Sequence, residues 1–475
     1  MAQKVLVVEG VNFDQCLYDT NDLSVIRGAS LLLDGALPVI CGAVTRTGAR
    51  IGASLGGASS YEIAFEGAEP AEVEAAVRRA LAQDPWRALS WVVSVADTAT
   101  AARGRNRRQQ FQTWTVKLSD VPGAVCEDAL DRVRPASPGR DDAIKGPLSP
   151  ETRIRLEHGR QFRRQFFRNG TRNLVEDDIL CASFEELVTP PPKGLREGMK
   201  GKIAVVHFDG DRMGDLRRLV GDDAEFSAQM GKMTEDILTR LVAGVRRRRA
   251  PEDRRFRMEV LLWGGDDITL VVPAWDVLQV IGDFQAAIAG VKIASLPVSF
   301  TGAAIVANYK APVRKLVHLA ERAVKVSKQA EVRGAVTFDI FKMSPPERPL
   351  EAHRAQLFPG ATARDIAFSG DDFGGLMALL AARREAQERG QFLSRSRAHD
   401  LVQATPEDRD DLLKKYHLRV LQVSAADHPQ DALANLYALP QMEGVERDLS
   451  LDLMLWLDLD ELYYAPPQDS AEAAA

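Results

Sequence analysis

Cysteine is scarce in this chain of 475 residues, and its four copies stand far apart. They are Cys16, Cys41, Cys126 and Cys181, and no two of them have the short spacing of a metal-binding pair. Structural zinc sites usually take cysteines in pairs about two to four residues apart. The sequence therefore argues against a zinc site, and four isolated thiols are typical of core residues in a reducing compartment.

Long apolar runs and a marked positive charge are also missing. No apolar run approaches the roughly 20 residues that a membrane-spanning helix needs, and the first apolar segment reaches Glu9 too soon for a signal peptide. These absences predict a cytoplasmic protein without membrane attachment. The formal net charge is −6, which by itself is not typical of a nucleic-acid-binding protein. The length predicts about three domains, each with its own core.

The most informative segment is residues 258–273, MEVLLWGGDDITLVVP, in which two apolar runs flank Gly-Gly-Asp-Asp. This pattern predicts a strand, a tight turn at Gly264 and Gly265, and a second strand. Asp266 and Asp267 are adjacent carboxylates, which repel each other unless a cation neutralises them, and Mg²⁺ prefers oxygen ligands. An ordinary polar hairpin turn is the alternative interpretation.

A second carboxylate set lies upstream in residues 202–214, KIAVVHFDGDRMG, where a β-branched run ends at Asp209-Gly210-Asp211. Such residues more commonly cap helices through Asx turns. A helical stretch at 225–245 separates the two sets, so a strand, helix, strand, strand order brings both to one sheet edge. That layout is typical of a two-metal nucleotidyl-transfer site. Strand alternation assigns Asp211 to shaping the loop, because it would not aim at the same ion as Asp209.

A third segment, residues 318–329 (HLAERAVKVSKQ), continues an amphipathic helix. Its apolar face comprises Val313, Leu316, Val317, Ala320, Ala323 and Val324. Lys325 and Lys328 lie off this stripe, and lysines there usually form only a solvated face. Next to two sets of carboxylates, Lys328 becomes a candidate ligand for a triphosphate.

These three segments, in their order and spacing, resemble the catalytic palm of the large polymerase/cyclase subunit of type III CRISPR effector complexes. That palm is related to the GGDEF diguanylate cyclases, whose helix ending in Ala-Lys is similar to residues 320–328, with Ser327 in place of the usual Ala. The resemblance implies an α+β fold with two ferredoxin-like palm domains, a helical insert between them and a helical C-terminal domain. The implied divisions are a degenerate first palm at 1–118, a mainly helical insert at 119–198, a catalytic palm at 199–343, a helical domain at 344–465 and a disordered tail at 466–475.

The N-terminal segment resembles a first palm that has lost its carboxylates. It opens with the strand KVLVVEG, and residues 53–65, ASLGGASSYEIAF, predict a hairpin with Gly-Gly-Ala-Ser in place of Gly-Gly-Asp-Asp. A predicted helix at 71–82 and a predicted strand at 88–95 complete the repeat. Residues 7–11 also lack an Asp at the position of Asp209. The first palm is therefore expected to be structural and to bind no metal.

The resemblance implies ATP as substrate and a cyclic oligoadenylate as product. Two Mg²⁺ (or Mn²⁺) ions would be held by Asp209, Asp266 and Asp267. The nucleotide would be bound by Gly210, Gly264, Gly265 and Lys328. In this interpretation one ion activates a ribose 3′-hydroxyl, and the other neutralises the triphosphate together with Lys328. The implied partners are other subunits of an RNA-guided effector complex, a guide RNA, and a target RNA that triggers synthesis.

The chain departs from this family in two respects. Many members begin with an HD nuclease domain, but this sequence reaches its first palm strand by residue 4, so DNA cleavage is not expected. Members often carry a zinc site built on Cys-x-x-Cys pairs between the palms, whereas Cys126 lacks its second cysteine.

Positive charge is concentrated in three basic clusters. They are residues 103–108 (RGRNRR), 160–172 (RQFRRQFFRNGTR) and 246–257 (RRRRAPEDRRFR). Arginine pairs bidentately with phosphate and aromatic rings stack on bases, so the first two clusters are candidates for contact with guide or target RNA. Taken singly, such a cluster is more often a solvated helix face.

Two other functions stay open at this point. A free-standing cyclase that makes a dinucleotide signal would need no RNA partner, but the Arg-x-x-Asp inhibitory motif of diguanylate cyclases is missing shortly before Gly264. A non-catalytic scaffold of a ribonucleoprotein would have no use for Asp209, Asp266, Asp267 and Lys328 beside a first palm that lacks such acids.

Overall fold

The protein is a mixed α+β molecule built mainly on two sheets. The computed structural model describes residues 3–464 apart from 57–58, 120, 122–125, 137–140, 143–144, 172, 176–177, 343–344, 346, 389–394, 405–407, 409–410, 413–437, 443–444, 446 and 448. The predicted α+β class is confirmed.

A four-stranded antiparallel sheet forms the N-terminal part of the chain. Its strands are β1 (Lys4–Gly10), β2 (Arg50–Gly56), β3 (Ser60–Glu66) and β4 (Trp91–Ala96), in the order β2-β3-β1-β4. The helices of this part are α1 (Phe13–Leu17), α2 (Leu23–Asp34), α3 (Ala36–Arg46), α4 (Pro70–Leu81) and α5 (Ala99–Gln110). Buried residues alternate along β3, so one sheet face packs on a core that includes Ile63 and Val77.

The segment that follows contains two short strand pairs and one long helix. Its strands are β5 (Cys126–Glu127), β6 (Pro135–Ala136), β7 (Asp141–Asp142), β8 (Gly146–Pro147) and β9 (Ile179–Leu180), and its helices are α6 (Pro150–Gly170) and α7 (Phe184–Val188). β5 pairs with β6, and β7 pairs with β8.

Two glycines allow α6 to cross α2 at very short range. A Cβ atom on Gly28 would lie 1.8 Å from the carbonyl oxygen of Arg155, and one on Gly159 would lie 1.9 Å from the carbonyl oxygen of Ser24. The guanidinium of Arg155 also binds both carboxylate oxygens of Asp19, at 2.9 and 3.0 Å. Backbone contact and a bidentate ion pair therefore fasten the insert to the N-terminal part.

A six-stranded sheet forms the second half of the fold. Its strands are β10 (Lys202–Gly210), β12 (Glu259–Gly264), β13 (Asp267–Pro273), β16 (Phe300–Asn308), β17 (Ala335–Ile340) and β18 (Ala367–Ser369), in the order β12-β13-β10-β16-β17-β18. Three shorter strands are β11 (Arg255–Phe256), which pairs with β9, and the hairpin of β14 (Lys292–Ile293) and β15 (Leu296–Pro297). The helices of this part are α8 (Met213–Val220), α9 (Asp223–Arg248), α10 (Val277–Ile288) and α11 (Val313–Gln329).

Four strands of the second sheet repeat the arrangement of the first. The order β12-β13-β10-β16 corresponds to β2-β3-β1-β4, with helices, a hairpin and a helix in turn as connections, and the second sheet adds the β14–β15 hairpin before β16. In the first sheet the Gly10 amide donates to the Ser59 carbonyl at 2.9 Å, and in the second the Gly210 amide donates to the Asp266 carbonyl at 3.0 Å. The predicted duplication is thus present in the topology, with Ser59 at the position of Asp266.

In the described residues of the C-terminal part, the secondary structure is helical apart from β18. Its helices are α12 (Leu350–Leu357), α13 (Phe373–Glu388), α14 (Arg395–Gln403) and α15 (Leu449–Leu462), and α15 packs on α13 and α14. β18 adds to the second sheet beside β17, so the predicted division at 343/344 cuts across one sheet. The predicted tail at 466–475 lies outside the described residues, and the domain divisions stay a prediction.

One apolar stretch is longer than the sequence pattern indicates. Leu23–Arg46, which comprises α2 and α3, is long and apolar enough by length and composition to cross a membrane. However, 56% of its most apolar window is buried inside the protein, as in the core helix of a globular domain. It is therefore only weak support for a membrane span.

Candidate active site

The carboxylates of the two motifs lie at one edge of the second sheet. Asp209 is the penultimate residue of β10 and lies directly opposite Asp267, the first residue of β13. Directly opposed residues of an antiparallel pair share a sheet face, with Cβ atoms about 5 Å apart. Asp266 precedes Asp267 on the hairpin turn, so the fold brings all three carboxylates to the same edge.

The Gly-Gly-Asp-Asp segment forms a two-residue hairpin. Gly264 ends β12 and pairs with Asp267, which leaves Gly265 and Asp266 as the central turn residues. Gly265 has a φ of +69°, and a positive φ at the first central position alone is the pattern of a type II′ turn, which favours glycine there. The predicted strand, turn and strand are present.

Lys328 reaches the same edge from the last turn of α11. Its Nζ atom lies 2.9 Å from Oδ2 of Asp209 and donates to the carbonyl oxygen of Gly210 at 2.8 Å. The side chains of Lys328 and Asp209 are 18% and 34% exposed, so solutes can reach the pair. The predicted apolar face of α11 is buried against β10 and β16, and this packing fixes where Lys328 emerges.

Asp211 is held by structural hydrogen bonds. Ser299 Oγ and Thr301 Oγ1 donate to its carboxylate at 2.9 and 2.8 Å, and the Gly334 amide donates at 2.9 Å. The Nζ atom of Lys328 lies 3.5 Å from the same carboxylate. Because a buried carboxylate with three donors is fixed in place, Asp211 fastens the end of β10 to the start of β16 and to the loop before β17.

Gly210 is closely packed. A Cβ atom at this position would lie 2.9 Å from the Cβ of Asp266 and 2.5 Å from the Cε of Met213. The absence of a side chain therefore lets the hairpin turn approach β10. Gly210 is buried, and its carbonyl oxygen already accepts a hydrogen bond from Lys328. The backbone of Gly264 and Gly265 is therefore more accessible to a ligand than that of Gly210.

The electrostatics of the edge favour a bound cation. Burial raises the pKa of Asp266; a hydrogen bond from its own backbone amide lowers it, the charge of Asp209 raises it and Lys328 lowers it. Within the described residues, no three His, Cys, Asp or Glu side chains are already arranged to hold a metal ion. Mg²⁺ is commonly bound by one or two carboxylates together with water and substrate phosphates, and the side chains of Asp209, Asp266 and Asp267 fit that donor set.

His207 lies on the same face of β10 as Asp209, two residues earlier. It is buried, and its Nδ1 atom lies 2.9 Å from Thr269 Oγ1. Burial, and to a smaller extent the charge of Lys328, lowers the pKa of His207 to about 4. The ring is therefore neutral near pH 7, and its contact with Thr269 links β10 to β13.

The first sheet carries a single acidic residue at the matching edge. By strand register, Glu9 of β1 lies opposite Ser60 of β3, as Asp209 lies opposite Asp267. The sequence indicated no Asp at this position, but the register shows that a carboxylate is present. Glu9 accepts a hydrogen bond from Gln110 at 3.2 Å.

The second basic cluster is partly internal, and its Arg172 lies outside the described residues. Arg163 of α6 is buried, forms an ion pair with Glu259 and donates to the carbonyl oxygen of Cys181 at 2.6 Å. Phe167 is also buried. These side chains hold α6 against the second sheet, so they are not available to RNA; Arg160 and Arg168 remain on the exposed side of the helix.

The third basic cluster is engaged in ion pairs. Arg246 and Arg249 bind the carboxylate of Asp178 at 2.9 and 2.6 Å, and Arg248 binds Asp283 at 2.6 Å. The first three arginines of the run belong to the last turn of α9, whereas the sequence indicated a connector after the helix. The cluster therefore joins α9 to α10 and to the insert.

Residues 202–337 match the family model described as Cas10/Cmr2, second palm domain. This segment includes every residue of the edge described above. None of the curated proteins matches the sequence.

Solved structures share the fold over nearly the whole chain. Csm1 of T. onnurineus has a TM-score of 0.54 at 12% sequence identity, over 98% of this chain and 70% of that chain. A Csm1–Csm4 cassette in complex with cA4 has a TM-score of 0.52 at 12% identity, over 97% and 70%. The cassette in complex with one ATP has a TM-score of 0.52 at 12% identity, over 98% and 70%. The predicted resemblance is confirmed: the chain has the fold of a Cas10-like palm subunit, and residues 202–337 match the second palm domain of that family.

Proposed function

We propose that this Cas10-like chain is a nucleotidyltransferase that joins ATP into a cyclic oligoadenylate within a type III CRISPR effector complex. The observation that carries the proposal is the meeting of three carboxylates and one lysine at one edge of a palm sheet: Asp209, Asp266, Asp267 and Lys328. The relatives support the choice of substrate and product, since one is a complex with ATP and another is a complex with cA4.

Each side chain at the edge has a role in this proposal. Asp209, Asp266 and Asp267 supply the oxygen ligands for two divalent cations. When bound, such ions activate the attacking ribose hydroxyl and neutralise the charge on the departing pyrophosphate. The ammonium of Lys328, which pairs with Asp209 here, would be available to a triphosphate if a cation balanced that carboxylate.

The surrounding residues position this constellation. The hydrogen bonds of Asp211 hold the end of β10, and the small volume of Gly210 keeps Asp266 close to Asp209. Gly264 and Gly265 leave backbone at the edge that a nucleotide can approach closely. His207, buried and neutral, takes no part in proton transfer.

The proposed partners are other subunits of the complex, a guide RNA and a target RNA. Two of the structural relatives are solved together with Csm4, and a subunit of that kind is the partner we propose for this chain. The proposed location of the assembly is the cytoplasm.

Mass spectrometry of reaction products tests the proposed function. The protein, in its complex and with target RNA bound, is given the four NTPs with Mg²⁺ or Mn²⁺. A cyclic oligoadenylate from the wild type, but not from an Asp266→Ala/Asp267→Ala variant, is the expected result. Asp215→Ala is the matched control, because Asp215 is an exposed carboxylate on α8 outside the edge.

The same experiment separates the alternatives. Equal product from the double variant would contradict the assignment of these carboxylates. A dinucleotide made without any RNA would instead indicate a free-standing cyclase, and the absence of product from the RNA-bound wild-type complex would indicate a scaffold.

A further inference from the structure

The first basic cluster differs from the other two because much of it is exposed. Residues 98–119 contain four Arg and one Lys but no Asp or Glu, in a chain whose formal net charge is −6. Arg107 and Arg108 lie in the last turn of α5, and both are exposed. The segment is therefore a local positive region on an acidic protein, which attracts a polyanion.

Two aromatic rings follow these arginines and face the solvent. Phe111 is 93% exposed and Trp114 is 78% exposed, the highest values among the large apolar side chains of the described residues. Aromatic side chains usually bury most of their surface, so two such rings three residues apart indicate a contact surface.

A groove of about 530 Å³ adjoins Trp114. Its apolar lining includes Leu89, Trp91, Val116 and Leu118. Two cations, Arg78 and Lys117, also line it, and none of the described lining residues is a carboxylate; Arg78 forms an ion pair with Glu74 at 2.9 Å. The groove is thus apolar and aromatic within, and its charged lining groups are positive.

We propose that the α5 surface, defined as Arg107, Arg108, Phe111, Trp114 and this groove, binds single-stranded RNA. Bases stack on the rings of Phe111 and Trp114, and phosphates pair with the arginines, which is how single strands are bound without sequence preference. Charge complementarity favours a polyanionic strand, because a purely apolar partner would leave the arginines unpaired, and RNA is the strand that the proposed function supplies. The surface acquires its biological meaning from the proposed RNA-containing complex, but its test does not depend on nucleotide synthesis.

Fluorescence anisotropy of a labelled single-stranded RNA, titrated with the full chain at several salt concentrations, measures this binding. Phe111→Ala/Trp114→Ala is expected to weaken binding about tenfold or more, since each stacked base contributes substantially. Trp114→Phe, which keeps a ring, should retain most of the affinity. Because these rings are exposed, their replacement should leave the fold intact, as circular dichroism would check.

The arginines are tested through the salt dependence. Arg107→Ala/Arg108→Ala should lower the slope of log affinity against log salt by about 1.4, or about 0.7 for each phosphate that is no longer neutralised. Lys232→Ala/Arg240→Ala is the charge-matched control, since it removes two exposed cations from α9 and should leave affinity and slope unchanged.

Two results would overturn the inference. One is equal RNA affinity in the wild type and both α5-surface variants. The other is unchanged RNA affinity together with the loss of a co-purifying subunit, which would assign the surface to a protein partner. The Asp266→Ala/Asp267→Ala variant should bind RNA like the wild type, so failure here is distinguishable from failure of the proposed function.

Discussion

The ammonium of Lys328 and the carboxylate of Asp209 form an ion pair of 2.9 Å between α11 and β10. This pair balances one negative charge at an edge that also carries Asp266 and Asp267. In the proposed function it is the resting arrangement of the site. A cation held by Asp209 would supply the balancing charge in its place, and Lys328 would then be available to a triphosphate.

Lys328→Met keeps the length of the side chain but removes its charge. We expect nucleotide synthesis by the RNA-bound complex to fall about 100-fold, the usual effect of losing one preorganised group that stabilises developing charge. Lys325→Met is the matched control, because Lys325 lies on the same helix but is exposed. Product formation rates from both variants check the prediction. Equal rates would show that the charge of Lys328 has no role in nucleotide synthesis.

Asp266→Asn should stabilise the metal-free protein near neutral pH. Burial raises the pKa of Asp266, so the folded state holds its proton more tightly than the unfolded state does. Stability is therefore lost as pH rises from the ordinary pKa to the raised one, and above the raised pKa the whole cost of the buried charge is present. We expect a rise of about 1–4 °C in Tm.

The measurement is thermal unfolding with and without Mg²⁺. Mg²⁺ should raise the Tm of the wild type, because it binds the folded state, and should raise that of Asp266→Asn much less. A lower Tm for the variant in the absence of metal would contradict this account of the edge.

His207→Gln should flatten the acid dependence of stability. The pKa of His207 is about 4 in the folded protein, against an ordinary value of 6.5. The unfolded chain therefore takes up this proton first, and stability falls as pH drops from 6.5 towards 4, by about 1.4 kcal/mol for each pH unit. Urea unfolding across this interval should show a smaller slope of stability against pH for the variant; parallel slopes would show that the pKa of His207 is the same in the folded and unfolded states.

Gly28→Ala or Gly159→Ala should separate α2 from α6. Either methyl group would lie less than 2 Å from a backbone oxygen of the facing helix, at 1.8 and 1.9 Å. Because backbone cannot move aside without shifting a helix, we expect a loss of about 3 kcal/mol in the free energy of unfolding. Gly231→Ala in α9 is the control, since a Cβ atom there would meet no neighbouring segment within 4 Å. The higher helix propensity of alanine should raise its free energy of unfolding by about 1 kcal/mol. Equal stabilities of the three variants in urea would show that α2 and α6 are farther apart than these distances indicate.

Local patterns were sufficient to predict the elements of the site. The apolar face of α11 and the hairpin at Gly264 and Gly265 follow from helical period and turn chemistry, which act within a few residues. The approach of Asp209 to Asp267 followed from element order, because antiparallel strands bring the end of one to the beginning of the next. Whether these residues act as proposed stays a prediction.

Contacts between distant segments could not be predicted in this way. Ser299 and Thr301 carry hydroxyls two residues apart at the start of β16, but only the sheet register places them against Asp211. Arg163 belongs to a basic segment whose composition is typical of an exposed helix face. Its burial depends on an ion pair with Glu259, about 100 residues later. The close crossing at Gly28 has no signal in the pattern of either helix.

Glu9 and Asp209 occupy matching positions in the two sheets, and this equivalence allows the most direct test of the central claim. The measurement is the rate of pyrophosphate release from ATP by the RNA-bound complex, for Asp209→Asn and for Glu9→Gln. The account predicts that Asp209→Asn abolishes release and that Glu9→Gln leaves it close to the wild-type rate. Undiminished release by Asp209→Asn would contradict the account.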